Sequence, residues 1–179
     1  MINRRYAIAL VVFFVIGCFA AMALRAYDVR KDTPQPIEDA QVFDFSAGGF
    51  TLSAPHGTQL TEYYSPDGML FSGMLSDGEQ TLLLYSYVND QGDTIDDYTD
   101  QVLVTYYMNA GCDDVRMRTL GNRRFVCYSA QVATESGAQT WHVYETWDAT
   151  TRLVIETQMS DDDALPILTT LSFSAPANP

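Results

Sequence analysis

Hydrophobic and polar positions divide the chain into two unlike parts. From Tyr6 to Leu24 no residue carries a charge, and Leu10-Val11-Val12-Phe13-Phe14-Val15-Ile16 lies within the run. At about 1.5 Å per residue such a stretch is about 30 Å long as a helix, the thickness of a bilayer's hydrocarbon core. A helix also satisfies its own backbone groups, as lipid requires. No polar stripe interrupts the run, which argues against a buried core helix. Residues 25–41, with Thr33-Pro34-Gln35-Pro36, read as an extended juxtamembrane linker.

From residue 42 the pattern alternates. Phe43-Asp44-Phe45 and Phe50-Thr51-Leu52 predict two short strands around Gly48-Gly49, and Gln59–Ser65 predicts a third. Met69–Leu75 and Thr81–Val88 flank Asp77-Gly78, which is hairpin chemistry. A helix over 95–109 follows: Thr94 and Asp97 resemble a capping box, and Ile95, Tyr98, Val102 and Tyr106 recur at helical spacing. Gly111 suits its end, because glycine tolerates the left-handed cap. Four strand-like runs come next, at 114–120, 123–133, 140–148 and 151–160, the first two joined by a tight turn at Gly121-Asn122. Ser160-Asp161-Asp162-Asp163 begins a short second helix, with Pro166 tolerable only near its first turn. Leu171-Ser172-Phe173 returns to strand. The expected organisation is a signal anchor or signal peptide at 1–24, a linker at 25–41, one α+β domain at 42–175 and a frayed tail at 176–179.

Charge narrows the partners. Beyond residue 31 there are 5 basic against 22 acidic residues, a formal −17. Such a surface repels phosphate backbones, which argues against nucleic acid. Apolar content of 47% against 18% charged argues for a folded domain and not a solvated coil. The N-terminal run has three readings: an uncleaved signal anchor, a signal peptide cut after Ala23 in the small-x-small phrase Ala21-Met22-Ala23, or a lipobox, Val15-Ile16-Gly17-Cys18, with Cys18 acylated. Arg4 and Arg5 before the span and Arg25, Arg30 and Lys31 after it balance the positive-inside count. The short tail and large following domain favour the domain outside. An even pair of domain cysteines agrees with an oxidising compartment. The bilayer is thus the first expected partner, through residues 6–24, with the domain on the extracytoplasmic side of a cell membrane.

The order of elements resembles the PsbP-like superfamily, an antiparallel sheet flanked by helices on both sides. Gly49-Phe50-Thr51-Leu52-Ser53-Ala54-Pro55 and the stretch from Ser160 to Phe173 carry the likeness. It implies an antiparallel sheet with one long and one short helix packed on it. It further implies an accessory or binding module, often exported and often a lipoprotein, with no shared catalytic motif. A two-layer roll is the alternative, and packing of the second helix on the sheet decides between them.

Candidate chemistry is sparse. His56 and His142 are the only histidines, without a His-x-x-His or Cys-x-x-Cys partner, so neither metal nor cofactor is expected. No Gly-x-Ser-x-Gly elbow occurs. Asp90, Asp93, Asp96, Asp97 and Asp100 surround the first helix start, where the dipole favours anions; a calcium loop is the weaker reading. Cys112 and Cys127 are disulfide candidates. With Leu120 opposite Arg123, Arg116 falls opposite Cys127 and Cys112 lies four residues further. That is too far along a regular ladder for Cα atoms about 5.5–6 Å apart, unless Cys112 folds back over the sheet. A bridge and two free buried thiols both stay open. Arg116, Arg118, Arg123 and Arg124 cluster on one hairpin, either paired internally or forming a dock for an anionic group of a cell-envelope or protein partner. Trp141, Tyr144 and Trp147 crowd one strand and read as core aromatics.

The expectation is therefore a membrane-anchored extracytoplasmic accessory or ligand- and protein-binding module without catalytic activity. A small cell-envelope hydrolase using carboxylates and a subunit of a membrane assembly are the alternatives.

Overall fold

A computed structural model of the protein describes residues 36–134 and 137–174. The apolar run at 6–24, Ala23, Cys18 and the tail at 176–179 lie outside them. Among the described residues no helix is long and apolar enough to cross a membrane.

Ten strands form two antiparallel sheets among these residues, where a single sheet is expected. β1 (Ala40–Phe45), β2 (Phe50–Pro55) and β10 (Ser172–Phe173) make the small sheet, in the order β1-β2-β10. The large sheet holds β3 (Gln59–Glu62), β4 (Met69–Ser76), β5 (Thr81–Val88), β6 (Asp113–Leu120), β7 (Arg123–Thr134), β8 (Gly137–Trp147) and β9 (Thr151–Thr157). Its order is β3-β4-β5-β9-β8-β7-β6. Turn chemistry explains the joints. At Asp77 the carboxylate accepts from the backbone N–H groups of Glu79 and Gln80 (3.0 and 2.8 Å) while Gly78 takes a positive φ. Gly121 does so between β6 and β7, and Leu120 pairs with Arg123.

Side chains two apart share a face. Phe50, Leu52 and Ala54 of β2 meet Leu82, Leu84, Leu153, Ile155 and Phe125 of the large sheet in one continuous core. Helix α2 (Asp161–Leu168) closes that layer, burying Ala164, Leu165, Ile167 and Leu168. The second helix therefore packs, as the sandwich and not the roll requires. Pro166 sits in its second turn and not its first. Its ring removes one intrahelical donor, which the short, well-buried helix tolerates.

The opposite face of the large sheet receives helix α1 (Asp100–Asn109). The single helix expected at 95–109 is two elements. A 3₁₀ turn at Ile95–Asp97 ends at Tyr98, whose φ of −114° and ψ of 143° are extended, and Thr99 then caps α1 by accepting from the Val102 N–H. The capping box is present, since the Asp97 carboxylate accepts from the Thr94 N–H and hydroxyl at 2.6 and 3.0 Å. It closes a separate turn, however, and resets the helical phase. Leu103 and Tyr107 are consequently the buried pair, beside Ile95, Val126 and Trp147. Val102 and Tyr106, which share the helical spacing of Ile95, are 53% and 66% exposed.

Candidate functional site

The strands β6 and β7 distribute their arginines to both faces. Arg116 and Arg118 reach Asp161 at the start of α2, both onto Oδ2, at 3.0 and 2.7 Å. The buried Tyr144 hydroxyl donates to Oδ1 of the same carboxylate at 2.6 Å. Burial opposes ionisation of Asp161, but the tyrosine bond and the two guanidiniums hold its carboxyl below the ordinary 3.8. Arg123 stacks 4.2 Å over the Phe173 ring. Arg124 turns to the α1 side, where it holds Asp100 at 2.6 Å, Asp96 at 3.3 Å and the carbonyls of Ile95 and Tyr98 at 2.9 and 3.1 Å. One guanidinium thereby ties the 3₁₀ turn to the start of α1. Arg116, Arg118 and Arg124 are thus paired internally with carboxylates, while Arg123 lies over a ring and its buried Nε has no hydrogen-bond partner among the described residues.

The acidic cluster is largely engaged too. Asp97 belongs to the capping box and Asp96 and Asp100 to Arg124. Asp93 accepts from the Tyr98 hydroxyl, which lowers its pKa. Among the described residues no three His, Cys, Asp or Glu side chains converge as a metal site.

Cys127 faces the main core and Cys112 packs against the cluster under α1, so the sheet stands between the two thiols and both are free. Burial pushes Cys127 up to about 12 and raises Cys112, which leaves neither an activated nucleophile. A reducing agent is expected to leave the unfolding midpoint of the protein within about 0.5 kcal/mol, where a bridge would contribute about 3 kcal/mol. Alkylation in denaturant without reductant, read by peptide mass, checks it: both residues carry the label.

The feature sequence reading missed is a cleft of about 330 Å³ between α1 and the ends of β5, β8 and β9. Its walls are Tyr98, Val102, Leu103, Tyr106, Tyr107 and Trp147, with Asn89, Gln91 and Asp93 at the rim and Arg152 on the floor. The rings fix its shape: Tyr98 meets Trp147 edge-on at 6.2 Å, and Tyr106 meets Tyr107 at 5.4 Å. The rim is stiffened by Asn89, whose amide donates to the carbonyls of Asp93 and Asp148 at 2.7 and 2.6 Å. Arg152 ion-pairs with Glu145, only 1% exposed, on the neighbouring strand. Arg152 also lies 3.5 Å from the Tyr107 hydroxyl. Burial, then the Glu145 charge, raises the Tyr107 phenol, which therefore keeps its proton. The floor is thus a neutralised ion pair beneath aromatic walls, suited to a planar or apolar group. The exposed side of Val102 and Tyr106 extends these walls onto the surface.

Of the three aromatics expected in the core, Trp147 and Tyr144 are there, on opposite faces of β8, with Tyr144 the largest fully buried side chain, while Trp141 is half-buried and belongs to neither cluster. His142 shares the α2 face and lies close enough to Asp161 to help lower its pKa. His56 follows β2 and takes the Asp39 carbonyl through its backbone N–H. Neither histidine lines the cleft.

No protein-family model matches the chain, and no curated protein does. Solved structures do. A crystal structure from Bacteroides thetaiotaomicron VPI-5482 superposes with a TM-score of 0.53 at 12% identity over 75% of this chain, which spans 48% of that one. The solution structure of cyanobacterial PsbP (CyanoP) from Synechocystis sp. PCC 6803 gives 0.52 at 10% identity, covering 76% of this chain and 94% of that one. At these identities the likeness shows a PsbP-like fold and nothing of chemistry.

Proposed function

We propose that this chain is a non-catalytic accessory module that binds a protein or envelope ligand through the aromatic cleft beside α1, and that residues 6–24 hold it at a membrane with the domain on the extracytoplasmic side. The observation that carries the binding reading is the ridge of Val102 and Tyr106. These are large side chains left in water at the mouth of a cleft whose walls also hold Tyr98, Leu103, Tyr107 and Trp147. Exposed aromatics at the edge of a preformed concavity are what recognition surfaces use, because rigid rings gain contact area at small entropic cost. A PsbP-like fold fits such a module. The uncharged run of 6–24 supports the membrane.

The test is made on the full chain in its native membranes. A photoreactive residue at position 106 is expected to give a discrete protein or polymer adduct. Val102→Ser with Tyr106→Ala is expected to weaken capture of that same species about tenfold or more, with the unfolding midpoint unchanged within about 0.5 kcal/mol because both side chains are already solvated. Protease added outside should remove the domain while sparing the span. Labelling by lipid and water alone, or capture indifferent to the two substitutions, overturns the cleft as a binding site.

A further inference from the structure

The α1 face of the large sheet is longer than the helix that covers it. The cluster beneath α1 takes its sheet residues from β6, β7 and β8. Met74 on β4, Leu83, Tyr85 and Tyr87 on β5 and Val154 on β9 occupy the same face by register. They are half-buried, yet they belong to neither hydrophobic cluster.

Glu156 stands among them. It pairs across with Leu83 on one side and Val143 on the other. Tyr85 is its diagonal neighbour on β5, and Tyr128 lies one strand beyond Val143 in the same row. Burial first, and then the charge of Glu156, raises the phenols of Tyr85 and Tyr87. Tyr128 is raised by burial and by Glu145 ahead of Glu156. Tyr85 and Tyr128 are therefore the phenols near this carboxylate in the register, while Tyr87 stands further along, opposite Arg152. Among the described residues that carboxylate has no hydrogen bond and no ion pair. It is half-buried, and burial alone raises its pKa.

A half-buried carboxylate among aromatic rings is unfavourable until a cation meets it. The domain has none to give. Arg116 and Arg118 are held by Asp161, Arg124 by Asp96 and Asp100, and Arg152 by Glu145, while Arg123 lies over Phe173. These are all the basic residues beyond residue 31.

We propose that Glu156, with Tyr85 and Tyr128 near it in the register, is a site for the ammonium or guanidinium group of a basic polypeptide segment on a partner, whose flanking apolar residues cover Met74, Leu83 and Val154. The ring faces attract a desolvated cation through their quadrupoles, and the carboxylate supplies a charge-assisted hydrogen bond. A formal −17 beyond residue 31 steers a basic partner and repels an anionic membrane. The apolar residues extend from Glu156 along β9 and across β5 to β4, which a lone lipid headgroup leaves uncovered and a polypeptide does not. This site goes beyond the cleft and stands without it.

The experiment uses the full chain in uncharged maltoside micelles, titrated with a short capped peptide carrying a central lysine between leucines and valines. Matched peptides carry norleucine or glutamate at the centre, and the amide shifts of Leu83, Tyr85 and Glu156 are followed. The lysine peptide is expected to bind about tenfold tighter than the norleucine one. Glu156→Gln should abolish that preference at an unchanged unfolding midpoint, and Glu156→Lys should reverse it towards the glutamate peptide. Equal binding of lysine and norleucine peptides, or an unaffected Glu156→Gln variant, overturns the proposal. Phosphocholine displacing the lysine peptide from these amides overturns it in favour of a headgroup. Amide shifts on replacing Arg25, Arg30 and Lys31 by Gln, with no peptide added, overturn it in favour of the chain's own segment. Tyr106→Ala leaves the lysine preference intact, so failure of the cleft reading and failure of this one are separable.

Discussion

Replacing Arg152 by Leu is expected to destabilise the domain by about 3 kcal/mol, near the lower end of the range for breaking a buried ion pair. The reason is Glu145 and not the arginine. The Glu145 side chain is 2% exposed near the C-terminal end of β8, whereas that of Arg152 is 50% exposed and keeps much of its hydration. Removing the guanidinium strands a carboxylate between Val126 of β7 and Val154 of β9, with the α1 layer above it. Water reaching the vacated side softens the loss, which places the effect near the bottom of that range. The double variant Glu145→Leu with Arg152→Leu should recover most of the stability, because two apolar side chains of similar volume need no desolvated charge. Urea midpoints of the three proteins decide it. A single variant within about 1 kcal/mol of the parent would show that Glu145 does not depend on its partner. The cleft should report the same event: Arg152 is its floor and touches Tyr107, so Trp147 fluorescence is expected to change in the single variant.

Asp161→Asn is the second large effect, about 2–3 kcal/mol at neutral pH. One carboxylate here satisfies three donors from two strands, Arg116 and Arg118 of β6 and Tyr144 of β8, and so pins the first turn of α2 to the sheet. An amide presents a single acceptor oxygen and brings its own hydrogens against the guanidiniums. The pH dependence has a definite sign. Asp161 has a folded pKa below its ordinary 3.8, so its contribution is complete above that value and is lost as pH falls through the lower folded value. The parent and Asp161→Asn should therefore differ by their full amount at pH 7 and converge in acid, below about pH 3.8. Equal gaps in urea midpoint at pH 7 and pH 3 would mean that the network contributes no charge-dependent stability.

Local chemistry made much of the architecture legible. Alternation at Phe50, Leu52 and Ala54, or at Leu153 and Ile155, names a strand and its buried face without knowledge of what covers it. The Gly121-Asn122 turn sets the β6–β7 register, including Arg116 opposite Cys127, because turn geometry fixes pairing over the next few residues. The α2 layer was likewise readable, since an acid-capped apolar segment before a final strand can bury itself in few ways. Each of these depends on interactions among residues near one another in the chain.

What the tertiary structure alone decided depends on distance and on phase. Ile95, Tyr98, Val102 and Tyr106 do have helical spacing, but a break at Tyr98 and Thr99 shifts the phase and leaves Leu103 and Tyr107 inward. Both faces of the large sheet are apolar, so pattern alone distinguishes neither the face that takes α1 nor the side to which each cysteine points. Arg116 and Arg118 find their acid more than forty residues away, on a helix brought close only by the core. The cleft and the unpaired Glu156 arise where α1 ends before the sheet does. Hydrophobic period is a property of one segment, whereas coverage is a property of how all segments pack together; the amino-acid sequence by itself determined the strands, and packing determined what was left open between them.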